Sequence, residues 1–182
     1  MKVFIIIGGL LICSLSVYSQ NQPNRFIKVS VTEQKLYLIE DGQPLKQYLV
    51  STSVYGIGSE AGSNKTPLGK HKVISKFGDG APLGTIFRSR INTGRKAKIY
   101  TDDTDLEEDD VTTRILRLTG LEPGKNKGSG VDSFSRYIYI HGTPEEGLIG
   151  KPASHGCIRM KNADVVELYD LVSEETLVMI ER

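Results

Sequence analysis

The sequence predicts a mainly β domain, a sandwich or a barrel, with one helix near its C-terminus. Three observations predict it. Short runs alternate apolar and polar residues with the period of a half-buried strand, and turn residues punctuate them. Only residues 162–172 carry apolar side chains at helical spacing.

Taken in order, residues 26–31 (FIKVSV) alternate, as do residues 35–39. Asp41-Gly42, between the second run and residues 45–50, is a hairpin signal because both residue types tolerate positive φ. Further strand-like runs lie at 72–77, 85–88, 114–118, 136–141 and 176–180. Thr66-Pro67-Leu68-Gly69, Gly78-Asp79-Gly80 and Pro123-Gly124 separate them as turns. For the helix, Asn162 is the expected N-cap, Asp164 favours the first turn, and Ala163, Val166, Tyr169 and Val172 form the expected apolar face. Residues 91–111 pass from basic (Arg95, Lys96, Lys98) to acidic (Asp102 to Asp110) and read as a surface excursion covering one side of a cleft.

Two motifs are set aside on chemical grounds. Gly120 to Lys125 is one residue short of a phosphate loop, with Asn126 where a magnesium-binding hydroxyl belongs, and is read as a turn. The acidic run has neither the bend glycine nor the terminal glutamate of a calcium loop, and is read as solvated.

At the N-terminus, Lys2 precedes an apolar run over residues 3–17, and Val17-Tyr18-Ser19 places modest or small residues before Gln20. That order is a secretory signal peptide over residues 1–19, rather than an uncleaved anchor. The run is too short for a comfortable membrane span. Bulky Leu11-Ile12 before Cys13 argue against lipidation there. Residues 20–25 are then a short lead and residues 26–182 the domain, with export to the periplasm or cell envelope expected. Cleavage leaves 163 residues, with 22 basic against 22 acidic side chains and one cysteine, Cys157. Balanced charge gives no reason to expect nucleic acid or an acidic membrane surface as a partner.

A single thiol in an oxidising compartment is either inert, intermolecularly paired or reactive. Cys157 lies in Ser154-His155-Gly156-Cys157-Ile158-Arg159, and His141-Gly142 closes the strand-like run before it. A neighbouring imidazole activates a thiol. In an extended chain, His155 shares a face with Cys157 and is the base that spacing alone favours. Gly156 opens the backbone N–H groups to a developing oxyanion, and Arg159 is available for a carboxylate. A zinc site from His141, His155 and Cys157 lacks a fourth ligand and paired spacing. The third histidine, His71, sits between two lysines and is expected on a solvated strand position.

These residues resemble the L,D-transpeptidase catalytic domain of bacterial cell-wall enzymes. The resemblance rests on His141-Gly142, Ser154-His155-Gly156-Cys157 followed by Ile158-Arg159, the Thr66-Pro67-Leu68-Gly69 turn and the opening strands, and it spans residues 26–181. It implies a β-sandwich-like fold with the cysteine motif at a cleft. It assigns Cys157 as nucleophile and His141, oriented by the Gly142 carbonyl, as its base, in place of His155. It puts His155 and Gly156 at the oxyanion site and Ser154 and Arg159 on the substrate. The implied reaction attacks the L,D bond of a peptidoglycan stem tetrapeptide, releases D-Ala and leaves a thioester for an amine, or for water in a carboxypeptidase. No metal or organic cofactor is implied. A non-catalytic wall-binding module is the remaining alternative.

Overall fold

The computed structural model describes residues 24–107 and 109–182. The expected leader over residues 1–19, with Cys13, lies outside the described residues, as do residues 20–23 of the lead. The first strand, β1 (Arg25–Ser30), already begins within that lead.

Eight of the ten strands among the described residues fall on the strand-like runs; the other two are Ile91–Lys96, inside the stretch expected as a surface excursion, and Ile158–Met160. After β1 come β2 (Lys35–Glu40), β3 (Gln43–Ser51), β4 (Gly69–Phe77) and β5 (Thr85–Arg88). Then come β6 (Ile91–Lys96), β7 (Val111–Gly120), β8 (Tyr139–Gly142), β9 (Ile158–Met160) and β10 (Leu177–Glu181). The β2–β3 hairpin turns on Asp41 and Gly42, with φ of 49° and 82°, as the Asp-Gly pair predicts.

The expected sandwich is corrected to one sheet that closes on itself. Its order is β4-β10-β1-β2-β3-β9-β8-β7-β5-β6, and β4 also pairs with β7. Since β4 is bonded to β10 on one edge and β7 on the other, the ring has no free edge at which two sheets could part. Register shifts in β4 between Val73 and Ser75, and in β7 between Thr112 and Ile115, supply the bends that closure needs. Only the β5–β6 hairpin stands outside the ring, hung on β7.

One face of each ring strand packs into a single apolar core: Ile27 and Val29, Leu36 and Leu38, Leu116 and Leu118, Ile138 and Ile140, Ile158 and Met160, Val178 and Ile180. The helix α1 (Asn162–Leu171) adds Val165, Leu168 and Tyr169, with Val172 just beyond it. This corrects the helical expectation by one residue, because Ala163 is exposed while Val165 is buried. Asn162 is not the N-cap. Lys161 takes that place without a side-chain cap bond, and Asn162 is the first helical residue, its N–H bonded to Glu146 Oε1 at 2.8 Å. Opposite residues of the same strands, Ile115 and Tyr139, form a second cluster with Phe87 of the hairpin, and Cys157 packs against it. The cysteine motif therefore lies on the outer face of β7–β8–β9.

Candidate active site

Strands β8 and β9 run parallel, pairing Ile140 with Ile158, His141 with Arg159 and Gly142 with Met160. Alternation sends Ile140, Ile158 and Met160 into the core and Tyr139, His141, Cys157 and Arg159 to the opposite face. Cys157 sits alongside Tyr139, whose N–H donates to the sulfur at 3.4 Å, while the thiol donates to the Tyr137 carbonyl at 3.4 Å. His141 stands two residues further along β8 than Tyr139 and on the same face, paired in register with Arg159.

His141 is 1% exposed, and its Nδ1 lies 2.8 Å from the Gly142 carbonyl oxygen. A carbonyl only accepts, so Nδ1 carries the proton and Nε2 keeps its lone pair. Burial lowers the histidine's pKa, against which Asp109 and the Gly142 bond work to raise it. Burial pushes the Cys157 thiol up to about 12, with Asp109 adding to the rise and the Tyr139 N–H opposing it. Burial thus works against charge on both the thiol and the imidazole. Gly142 is required sterically: a Cβ there would stand 2.7 Å from Asn162 Oδ1 and 2.9 Å from the Thr112 carbonyl.

The approach to Cys157 is a bend, not an extended run. Gly156 has φ of +117°, a region closed to side chains, and a Cβ on it would meet the Lys65 carbonyl at 3.3 Å. That bend turns His155 outward, against the Tyr55 ring at 5.6 Å and 3.3 Å from Asp109 Oδ2. His155 and Cys157 thus do not share a strand face, and the reading of His155 as base loses its geometric ground. Ser154 is fully buried; its hydroxyl donates to the Cys157 carbonyl at 2.6 Å and accepts from the Gly156 N–H at 3.2 Å. It shapes the bend rather than facing substrate. Thr66, from the Thr-Pro turn, donates to the Gly156 carbonyl at 3.1 Å and ties that turn to the motif.

Arg159, expected to meet substrate, is 1% exposed. Its guanidinium is held by Glu145 Oε2 at 2.5 Å and Asp109 Oδ2 at 2.8 Å. Burial pushes Glu145 up despite the bond from the Leu106 N–H and the arginine beside it. Burial pushes Asp109 up too, but His141, Arg159 and the His155 N–H outweigh it and hold the carboxyl low. Neither carboxylate stands out in the sequence. Asp109 hides in an acidic run that reads as solvated, and Glu145 follows an ordinary Thr-Pro. A buried arginine is the one signal that demands both.

His71 also departs from expectation. It is fully buried, with Nδ1 3.0 Å from the Gly69 carbonyl oxygen and Nε2 2.9 Å from Ser133 Oγ, far in sequence from the cysteine motif.

The chain matches the YkuD family, the L,D-transpeptidase catalytic domain, over residues 24–180. It is 48% identical over 61 residues to YkuD of Bacillus subtilis strain 168, covering 33% of this chain and 37% of that one. It is 49% identical over 45 residues to YqjB of the same organism, covering 25% and 26%. An L,D-transpeptidase from Mycobacterium smegmatis superposes with a TM-score of 0.56 at 18% identity, over 88% of this chain and 59% of that chain. L,D-transpeptidase 3 from Mycobacterium tuberculosis, in complex with a faropenem-derived adduct, gives 0.54 at 20% identity, over 88% and 61%. The likeness to these structures is one of fold, and the matches span under two thirds of each relative's length. With the family's domain matched across 157 residues and its fold reproduced around the cysteine motif, the chain belongs to the YkuD family of L,D-transpeptidase catalytic domains.

Proposed function

We propose that this chain is an exported peptidoglycan L,D-transpeptidase acting through Cys157. The observation that supports the reading is a half-buried free thiol on the same face of β8–β9 as His141, whose Nδ1 is anchored on the Gly142 carbonyl. In the first step His141 Nε2 takes the thiol proton as the sulfur attacks the carbonyl between the third and fourth stem residues. The Tyr139 N–H, already directed at the sulfur, stabilises the thiolate. The His155-Gly156 bend frames the oxyanion, and the imidazolium returns its proton to the departing D-Ala amine.

In the second step an acceptor amine attacks the thioester, loses its proton to His141 and frees the sulfur. Water in place of the amine makes the reaction a carboxypeptidase. Ser154 and Arg159 serve as positioning residues: one shapes the cysteine bend, the other holds Asp109 and Glu145 around it. Asp109 opposes the effect of burial on His141, so it supports the imidazolium each proton transfer creates.

Purified protein incubated with tetrapeptide-bearing muropeptides tests the reading, with products resolved by mass. Cross-linked dimers formed by wild type and not by Cys157→Ala support it. Tripeptides without dimers identify water as the acceptor, and identical products from both proteins refute the enzymatic reading.

A further inference from the structure

We propose that Arg90, held over Tyr137 at the tip of the β5–β6 hairpin, recognises a carboxylate of the donor stem peptide. This rests on the donor reading above and extends it to a second contact point on the substrate.

The hairpin is the one part of the sheet outside the closed ring, so barrel closure does not explain it. Its two-residue turn is Ser89-Arg90, with φ of 48° and 70°. Such turns normally use Asn-Gly, because both residues need positive φ. An arginine kept there is strained, and strain of this kind gathers at ligand clamps. Tyr137, which faces Arg90, is strained in the same way with φ of 57°, and its carbonyl accepts from the Cys157 thiol. Tyr137 thus connects the two, its carbonyl at the sulfur and its ring under Arg90.

The side chains form an open cationic shelf. The Arg90 guanidinium lies 5.4 Å from the Tyr137 ring centroid and donates to the Tyr139 hydroxyl at 2.9 Å. Arg117 stacks 3.5 Å over Phe134 and 5.4 Å from Tyr137, its Nε buried without a partner. Among the described residues, neither arginine pairs with a carboxylate. Tyr137 is 53% exposed, so the shelf is open to a ligand.

Charge sets the direction in which a substrate lies. The Asp109 side of Cys157 is acidic, and its arginine is buried and already paired with Asp109 and Glu145, so a ligand carboxylate is disfavoured there. On the other side Arg90 offers a planar donor fork suited to a carboxylate. A carboxylate one or two residues from the scissile carbonyl lies about 4–7 Å along an extended peptide. Tyr139 links the two positions, its N–H on the sulfur at 3.4 Å and its hydroxyl on the Arg90 guanidinium at 2.9 Å.

The test is calorimetric binding to the Cys157→Ala protein, using a stem tetrapeptide and donors in which each free carboxylate is singly replaced by a carboxamide. Arg90→Asn suits the turn, since Asn tolerates positive φ, and equal melting temperatures confirm an intact hairpin. Arg90→Asn is expected to weaken tetrapeptide binding about tenfold or more. Arg90→Lys recovers part of the loss. One carboxamide donor binds the Arg90 protein equally weakly and loses nothing further on Arg90→Asn, which identifies the carboxylate recognised. Unchanged affinity in Arg90→Asn, the same added loss with every carboxamide, or no tetrapeptide binding by the parent overturns the proposal. Turnover of the same tetrapeptide by the Cys157 protein is read separately. Arg90-dependent binding without turnover sinks the transpeptidase reading and leaves the carboxylate site standing.

Discussion

If Cys157 rests as a neutral thiol, its alkylation is slow and climbs with pH. Burial and Asp109 lift its pKa from 9.0 to about 12, so its thiolate fraction at neutral pH is roughly a thousandfold below that of an ordinary thiol. A more basic thiolate is also more nucleophilic, with a Brønsted slope of about 0.4–0.5, which returns roughly twentyfold. Iodoacetamide should therefore label folded Cys157 about fiftyfold more slowly at neutral pH than the same residue in denaturant. The logarithm of the rate should rise linearly with pH to beyond about 10. Asp109→Asn removes a neighbouring anion and should speed the labelling. In protein produced from Gln20 onward Cys157 is the one cysteine, so intact mass after timed quenching reads one site. Fast labelling with a plateau below neutral pH would reveal a preformed thiolate–imidazolium pair and refute this reasoning.

Three further perturbations probe the frame of the site. Glu145→Gln removes one counterion from buried Arg159, and with Asp109 remaining the loss should be about 2–4 kcal/mol, read as a lower urea midpoint at unchanged slope; a loss below about 0.5 kcal/mol would show that the pair is not needed. Gly156→Ala forces a side chain into φ of +117° and against the Lys65 carbonyl. It should destabilise by about 1–3 kcal/mol and displace the thiol, seen as lost turnover with the fold retained. His71 titrates at about 4 when folded and at 6.5 when unfolded, because burial disfavours its cation. The unfolded chain thus binds the proton more tightly. The contribution is complete above pH 6.5 and falls by about 3 kcal/mol as pH drops to 4. Denaturation midpoints across that window should decline in wild type and flatten in His71→Gln; parallel curves would contradict the assignment.

Most of the strand ladder was legible because a half-buried strand writes its burial into alternate residues, as residues 26–29 and 35–38 do. Strand β6 was not, since its sequence INTGRK is exposed almost throughout and forms only as the return of β5. Strand β9 has three residues, all buried, and carries no period at all. Closure of the sheet was illegible in principle: pairing of β4 with both β10 and β7 joins segments distant in sequence, and a sandwich uses the same local patterns. The cysteine motif was readable from residue types, yet its partners were not. Asp109 and Glu145 reach Arg159 through loops whose composition resembles any solvated turn. The lysines flanking His71 point outward while the histidine between them points inward, so its neighbours misdirect the reading.

The measurement closest to the central claim is the mass of the intact protein quenched early in its reaction with a stem tetrapeptide. An acyl-enzyme on Cys157 gives one adduct, equal to the tetrapeptide less D-Ala, on the peptide bearing Cys157, sensitive to hydroxylamine and missing in Cys157→Ala. Loss of D-Ala at the same rate from both proteins, with Cys157 unmodified, would contradict it.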